Sequence, residues 1–319
     1  MGKTSRDKRD IYYRCAKEQG YRARSAYKLL QIDQNFDIFK GVERVVDLWG
    51  APGGWSQVII ERMKQINPDI DFEQTQRVVN VDLQTVLDIE GVTIIKGDIT
   101  RQSTVDTVLE IFEGDKADLV ASDGAPDVTG NHEFDQYIQH QLVLAAINIS
   151  MHLLKVGGTF VAKVFRGKDF EYLTKFLKKI FKSVIISKPK WCRNSSIEGF
   201  IVCREFHRED KDIIISEKLN ALDLINGLNY VKQNHEDYYS TNKEPLIEIS
   251  EEEETKDEDY EIEFVSWGDP STALDPDMNY SLDFDIKSFH TQSNKDAVNS
   301  SDTEAKSYKY IKPFPKIDE

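Results

Sequence analysis

The sequence predicts an α/β protein: an open, mostly parallel, doubly wound sheet of seven strands, with a helix ahead of it and an acidic, largely disordered tail behind. Three observations carry that expectation. Between residues 40 and 206, short β-branched runs alternate with longer segments of helical spacing, the pattern of helices packed on both faces of a parallel sheet. Acidic residues and glycines recur where those runs end, at the edge where such sheets bind ligands. The charge also divides the chain. Residues 1–206 hold 29 Lys and Arg against 28 Asp and Glu, and residues 207–319 hold 12 against 28, so the net charge of −15 belongs to the tail.

Arg44–Leu48 (RVVDL) is the first strand, apolar at most positions as a strand buried on both faces must be. A helix from Trp55 to Ile66 follows it. Arg77–Leu83 (RVVNVDL) and Val92–Lys96 (VTIIK) are strands two and three, Thr100–Phe112 is helical, and Ala117–Ser122 (ADLVAS) is strand four. Glu133–Lys155 carries apolar residues at helical spacing, Thr159–Phe165 (TFVAKVF) is strand five, and Asp169–Phe181 is a helix. Val184–Ser187 and Ile197–Cys203 complete the seven.

Ahead of the sheet, residues 6–31 read as helix within a basic segment, 1–39, that interleaves Arg and Lys with Tyr12, Tyr13, Tyr21 and Tyr27. Aromatic faces beside cations suit unpaired bases and phosphates together, so this segment is expected to bind RNA. A second basic stretch, 155–193, holds eleven Lys and Arg against two acids, and the two stretches could form one phosphate-binding face. Behind the sheet, acidic runs such as Glu251–Glu254 cannot bury a core. One aromatic island in the extension 207–319, Phe264–Leu282, is a candidate partner-docking segment within 260–285.

Several classes are excluded. Cys15, Cys192 and Cys203 have no paired spacing and the six histidines do not cluster, which argues against a disulfide framework and a zinc site. The apolar stretch at Leu142–Ile149 is too short to span a bilayer, and no apolar leader opens the chain, so a cytoplasmic protein is expected. The glycine turn Asp47-Leu-Trp-Gly-Ala-Pro-Gly-Gly-Trp55 is neither a G-x-G-x-x-G fingerprint nor a P-loop.

The strand ends nominate the site. Gly50, Gly53 and Gly54 allow a ligand close to the backbone. Asp82 can accept hydrogen bonds from a ribose diol, and Asp98 is placed to meet an adenine amino group. Strands four and five deliver Asp123 and Lys163. A lysine inside an apolar strand is costly to bury charged unless paired. Burial, a second lysine and a cationic cofactor would each favour its neutral, proton-accepting form.

Lys28, Asp123, Lys163 and Glu198, together with the APGGW turn, resemble the Lys-Asp-Lys-Glu tetrad of FtsJ-type RNA ribose 2′-O-methyltransferases, over roughly residues 1–206. The opening GKTSRDKRDIYYRCAKEQGYRARSAYKLLQID, with SDGAPDVTG, AKVFRG and EGFIVC, resembles the eukaryotic tRNA anticodon-loop enzymes. The resemblance implies a Rossmann-like class I methyltransferase fold. It implies S-adenosylmethionine held by Gly53, Trp55, Asp82, Asp98 and Asp123, with Lys163 as proton acceptor and no metal. It also implies tRNA as substrate at positions 32 and 34, and helper proteins including a WD-repeat partner. An rRNA or mRNA-cap enzyme shares the tetrad, and a non-catalytic RNA-binding assembly factor is the rival from another class. Trp49 and Gly54 depart from the tRNA subgroup's Leu-Cys-Ala-Ala-Pro-Gly-Ser form.

Overall fold

The structure, a computed structural model, describes residues 11–126, 132–166, 170–189, 192, 196–207, 263–266 and 308–309. Its elements in chain order are α1 Ile11–Glu18, α2 Ala26–Phe36, β1 Val45–Leu48, α3 Gly54–Ile66, α4 Phe72–Thr75, β2 Val78–Asp82, β3 Thr93–Lys96 and α5 Gln102–Ile111. They continue as β4 Ala117–Ser122, α6 His132–Leu153, β5 Leu154–Phe165, α7 Phe170–Ile180, β6 Phe181–Lys188, β7 Glu198–Phe206, β8 Glu263–Ser266 and β9 Tyr308–Lys309. The strands form one sheet in the order β3-β2-β1-β4-β5-β7-β6-β8-β9. Pairing is parallel from β3 through β5, and β7 runs antiparallel between β5 and β6. The chain turns back on itself between β1 and β4, which opens a crevice at their carboxyl ends.

All seven expected strands are present, most with boundaries moved by a few residues, because the strand pattern comes from burial on two faces. Successive side chains alternate between two cores. One face packs Val46, Leu48, Val79, Val81, Val120 and Ile201 against α5, α6 and α7. The other packs Val45, Val78, Leu119, Ala121, Val161 and Phe200 against α2 and α3. Each such Val, Leu, Ile or Phe side chain, fully buried, contributes roughly 1.5–3 kcal/mol.

Three expectations change. The single helix expected over 6–31 is two among the described residues, broken where Gly20 takes φ +81°. Gly20 N–H donates to Lys17 O and Tyr21 N–H to Ala16 O, which satisfies the last carbonyls of α1 and stops it. A short helix, α4, was not expected; Asp71 caps it by accepting from Glu73 N and Gln74 N. The acidic extension also supplies two strands: β8 pairs parallel with β6, Ile185 opposite Glu263 through Lys188 opposite Ser266, and β9 pairs antiparallel with β8. The rest of 208–319, including most of the expected docking segment 260–285, lies outside the described residues.

Candidate active site

Register places the chemistry on one face of the sheet. Asp47 sits opposite Asn80 on β2 and Ala121 on β4, and Ala121 sits opposite Val161 on β5. Asp82, Asp123 and Lys163 each follow one of these positions by two residues, so all share that face at the carboxyl ends. Lys163 in turn lies opposite Phe200 on β7. Beneath this row, Ser56 of α3 donates to Asp47 Oδ2 (2.6 Å), and Asn80 Nδ2 donates to Ser56 Oγ (2.7 Å). Asp47 is fully buried, which pushes its pKa up to about 7 against the Ser56 hydrogen bond, with the charges of Asp123 and Asp82 adding to the rise. Its Oδ1 is buried without a hydrogen-bond partner.

The glycine turn joins β1 to α3. Its glycines are required by the protein's own packing more directly than by a ligand. A Cβ on Gly50 would lie 1.9 Å from Asn80 Nδ2, one on Gly54 would lie 2.9 Å from Ala23 Cβ, and one on Gly53 (φ +110°) would lie 2.8 Å from Ile89 Cδ1. Asp82 ties the turn to the loop after β2, accepting from Ala51 N (2.9 Å) and Gln84 N (2.7 Å). Those bonds leave lone pairs on a carboxylate that can accept two more donors. Trp49 holds a left-handed φ of +58°, costly for a bulky residue, with its indole against Gly124.

Two expected ligand contacts are also engaged within the protein. Trp55 is 2% exposed, its ring tilted against Phe200 and its Nε1 donating to Ser25 O, so its side chain belongs to the core. What it can offer a ligand is backbone at the start of α3. Asp98 Oδ1 accepts from Thr100 N and Thr100 Oγ1 in a local turn, bonds that lower its pKa, and its Oδ2 lies 3.6 Å from Arg101 Nε.

The four tetrad residues come together. Lys163 Nζ donates to Asp123 O (2.7 Å) and forms an ion pair with Asp123 Oδ1 at 2.9 Å. Lys28 of α2, 5% exposed, is hydrogen-bonded to Glu198 Oε1 at the start of β7 and lies 5.8 Å from the Phe200 ring centroid. The two pairs form one cluster. Burial disfavours the Glu198 anion, yet Lys28 and then Lys163 hold its pKa below the usual range. Burial likewise disfavours the Lys28 ammonium, and Glu198, Cys192 and Asp123 hold it above the usual lysine value. This pairs one strongly held ion pair with a second lysine at the mouth, an arrangement suited to fixing a hydroxyl and moving its proton.

Sequence reasoning missed two supports. Gln139 of α6, 1% exposed, donates through Nε2 to Gly124 O (3.1 Å) and Lys163 O (3.0 Å), joining the strand ends that carry Asp123 and Lys163. Cys192 Sγ lies 3.6 Å from Glu198 Oε1; burial first, then Glu198, pushes its thiol up to about 12. A polar residue at a buried position of α6 was the visible signal for Gln139; nothing in the sequence named its partners.

Part of the expected basic face lies away from the crevice. Lys155 pairs with Asp118 and Lys182 with Glu205, both at the opposite end of the sheet. Lys163, Arg166 and Lys188 lie at or near the carboxyl ends of β5 and β6. Tyr21 donates to Glu61 and Tyr27 to Gln19, packed edge to face, so both are built into the domain. The remaining bases of residues 1–10, with Lys168, Lys190 and Arg193, lie outside the described residues.

Comparison with known proteins gives concordant matches. Residues 21–206 fit the family model described as FtsJ-like methyltransferase. A mouse protein named tRNA (cytidine(32)/guanosine(34)-2'-O)-methyltransferase is 47% identical over 285 residues, 89% of this chain and 79% of that protein. A Schizosaccharomyces pombe protein of the same name is 51% identical over 65% of this chain and 73% of that protein. Among solved structures, a Plasmodium falciparum protein described as a ribosomal RNA methyltransferase superposes with a TM-score of 0.51 at 28% identity, covering 58% of this chain and 98% of that chain.

Proposed function

This chain belongs to the FtsJ-like methyltransferase family, and from that premise we propose that it transfers a methyl group from S-adenosylmethionine to ribose 2′-hydroxyls in the tRNA anticodon loop, at positions 32 and 34. One observation carries the reading. Four charged residues from α2, the end of β4, β5 and β7 form a single cluster of two ion pairs at the crevice where strand order reverses. The tRNA assignment draws on relatives 47% and 51% identical and named for those positions, against 38% and 40% for relatives named for methylation of large-subunit ribosomal RNA.

The residues present fit the cofactor. Asp82 retains acceptor capacity for a ribose diol, and Leu83 and Leu87 beside it are 50% and 73% exposed, apolar cover for a base. The backbone of Gly53 and Trp55 and the carboxylates of Asp98 and Asp123 complete the set. When bound, S-adenosylmethionine supplies a methyl group on a cationic sulfur, so the attacking oxygen needs alignment and loss of its proton. Lys163, once it has given up its own ammonium proton to solvent, takes that proton on its neutral amine, and Asp123, 2.9 Å away, stabilises the ammonium that results. Lys28, held charged against Glu198, stays a donor throughout and orients the ribose. Positioning of this kind supplies most of the rate enhancement.

Helper proteins, a WD-repeat protein among them, would choose between the two positions. The three cysteines are buried thiols, in keeping with a cytoplasmic enzyme. The test is nucleoside mass spectrometry of tRNA incubated with S-adenosylmethionine and protein. Wild type gives 2′-O-methyl nucleosides at 32 or 34, and Lys163→Ala loses at least about 100-fold in rate. Methyl transfer that survives in Lys163→Ala would sink the mechanism, and methylation confined to rRNA would sink the substrate.

A further inference from the structure

Arg22 sits in the link between α1 and α2, among the bases first assigned to RNA. Its guanidinium is engaged elsewhere. It donates to three backbone carbonyls on two loops: Pro52 (3.3 Å) in the glycine turn, and Leu87 (2.7 Å) and Asp88 (2.8 Å) beyond β2. These loops flank Asp82, which itself ties Ala51 to Gln84. The link is pinned to α3 as well. Arg22 N–H donates to Gln57 Oε1 (2.8 Å), and Gln57 Nε2 donates to Gly20 O (3.0 Å). The side chain crosses the turn closely enough that a Cβ on Gly53 would lie 2.9 Å from Arg22 Nη1.

We propose that Arg22 is a positioning residue for the cofactor: it sets the separation of the glycine turn and the loop after β2, and so fixes affinity for the nucleoside cofactor from within the N-terminal segment. This rests on the reading that S-adenosylmethionine binds at this end of the sheet. The chemistry requires arginine. A planar fork with five donors serves three carbonyls on two loops at once, whereas an ammonium on a flexible stem is a single point that cannot span them. None of the three bonds reaches the tetrad, so the effect falls on binding and leaves proton transfer alone.

The test uses the full chain and S-adenosylhomocysteine as probe, titrated calorimetrically into wild type, Arg22→Ala and Arg22→Lys. Loss of charge-assisted bonds on a partly exposed arginine weakens binding by about tenfold in both variants. In methyl-transfer assays, KM for S-adenosylmethionine rises in parallel, while kcat and KM for tRNA stay within about twofold. Ligand-free melting temperatures stay within about 3 °C of wild type. A Kd for Arg22→Ala within about twofold of wild type, or wild-type binding by Arg22→Lys, overturns the proposal. So does a fall in kcat together with melting temperature, the mark of a merely structural role. Arg22→Lys, which keeps stem and charge, carries the comparison should Arg22→Ala fail to fold. Failure of the wild type to bind the probe refutes the cofactor reading itself.

Discussion

Replacing Glu198 with Gln keeps the shape of the side chain and removes the charge that Lys28 faces. Lys28 is 5% exposed, and burial alone would push its pKa down; Glu198, with Cys192 and Asp123, reverses that. The variant keeps a buried ammonium without its partner, at a general cost of about 3–5 kcal/mol. The lower end applies, because the Glu198 side chain is 16% exposed and Asp123 still attracts Lys28. The folded variant relieves this by releasing the Lys28 proton, while the unfolded chain keeps it until about pH 10.4. The unfolded state then binds one more proton than the folded state, and stability rises by up to about 1.4 kcal/mol per pH unit. In the wild type the folded pKa is raised, so the contribution of Lys28 is fully present below about pH 10.4 and is lost only as pH climbs through the folded value. Urea unfolding of both proteins between about pH 7.5 and about pH 9.5 reads the difference. The gap should start near 3 kcal/mol, or roughly so, and shrink by about 2 kcal/mol across that range. A gap that stays constant or widens with pH would refute the reasoning.

Two further substitutions bear on the scaffold of the site. Gln139→Leu strips the donor from two carbonyls, Gly124 O and Lys163 O, and should cost about 2–4 kcal/mol and lower kcat with little change in KM for tRNA; thermal melts and steady-state kinetics check it, and an unchanged kcat speaks against the clamp. Asp47→Asn addresses the carboxyl raised to about 7 by burial. A raised acid contributes stability that is present below the unfolded pKa near 4 and lost as pH rises through about 7. The variant should therefore gain on the wild type between about pH 5 and about pH 8, by a swing on the order of a few kcal/mol in urea titrations; a pH-independent difference would remove Asp47 as its source.

The sheet was legible because each central strand is buried on both faces and must be apolar at most positions, as Val45–Leu48 and Ala117–Ser122 are. Lys163 was legible for the converse reason, a cation inside such a run. Lys28 and Glu198 were not, since α2 and β7 lie 170 residues apart and only tertiary packing brings them together. The family resemblance supplied them. Trp55 and the glycines were legible only in part: a residue type suited to a ligand is equally suited to close packing, here against Phe200, Asn80 and Ala23. The helix break at Gly20 was readable, since a glycine after Lys17-Glu18-Gln19 is a usual stop signal. The strand at 263–266 was not, because four residues inside an acidic stretch carry no periodicity long enough to count.

That strand has a geometric consequence for everything downstream of it. β7 runs antiparallel to β6, and β8 runs parallel to it, so the chain re-enters the sheet at the end where β7 left, after 56 intervening residues. β8 then finishes beside Lys188, at the same end of the sheet as Lys163 and Asp123. The polypeptide after Ser266 is thus leashed to the rim of the crevice. A partner gripped by that polypeptide would meet the crevice at an effective concentration of roughly millimolar, with no contact added to the four charged residues. Cutting the chain at 206 would sever the leash and bare the outer backbone edge of β6, a surface that pairs readily with other chains.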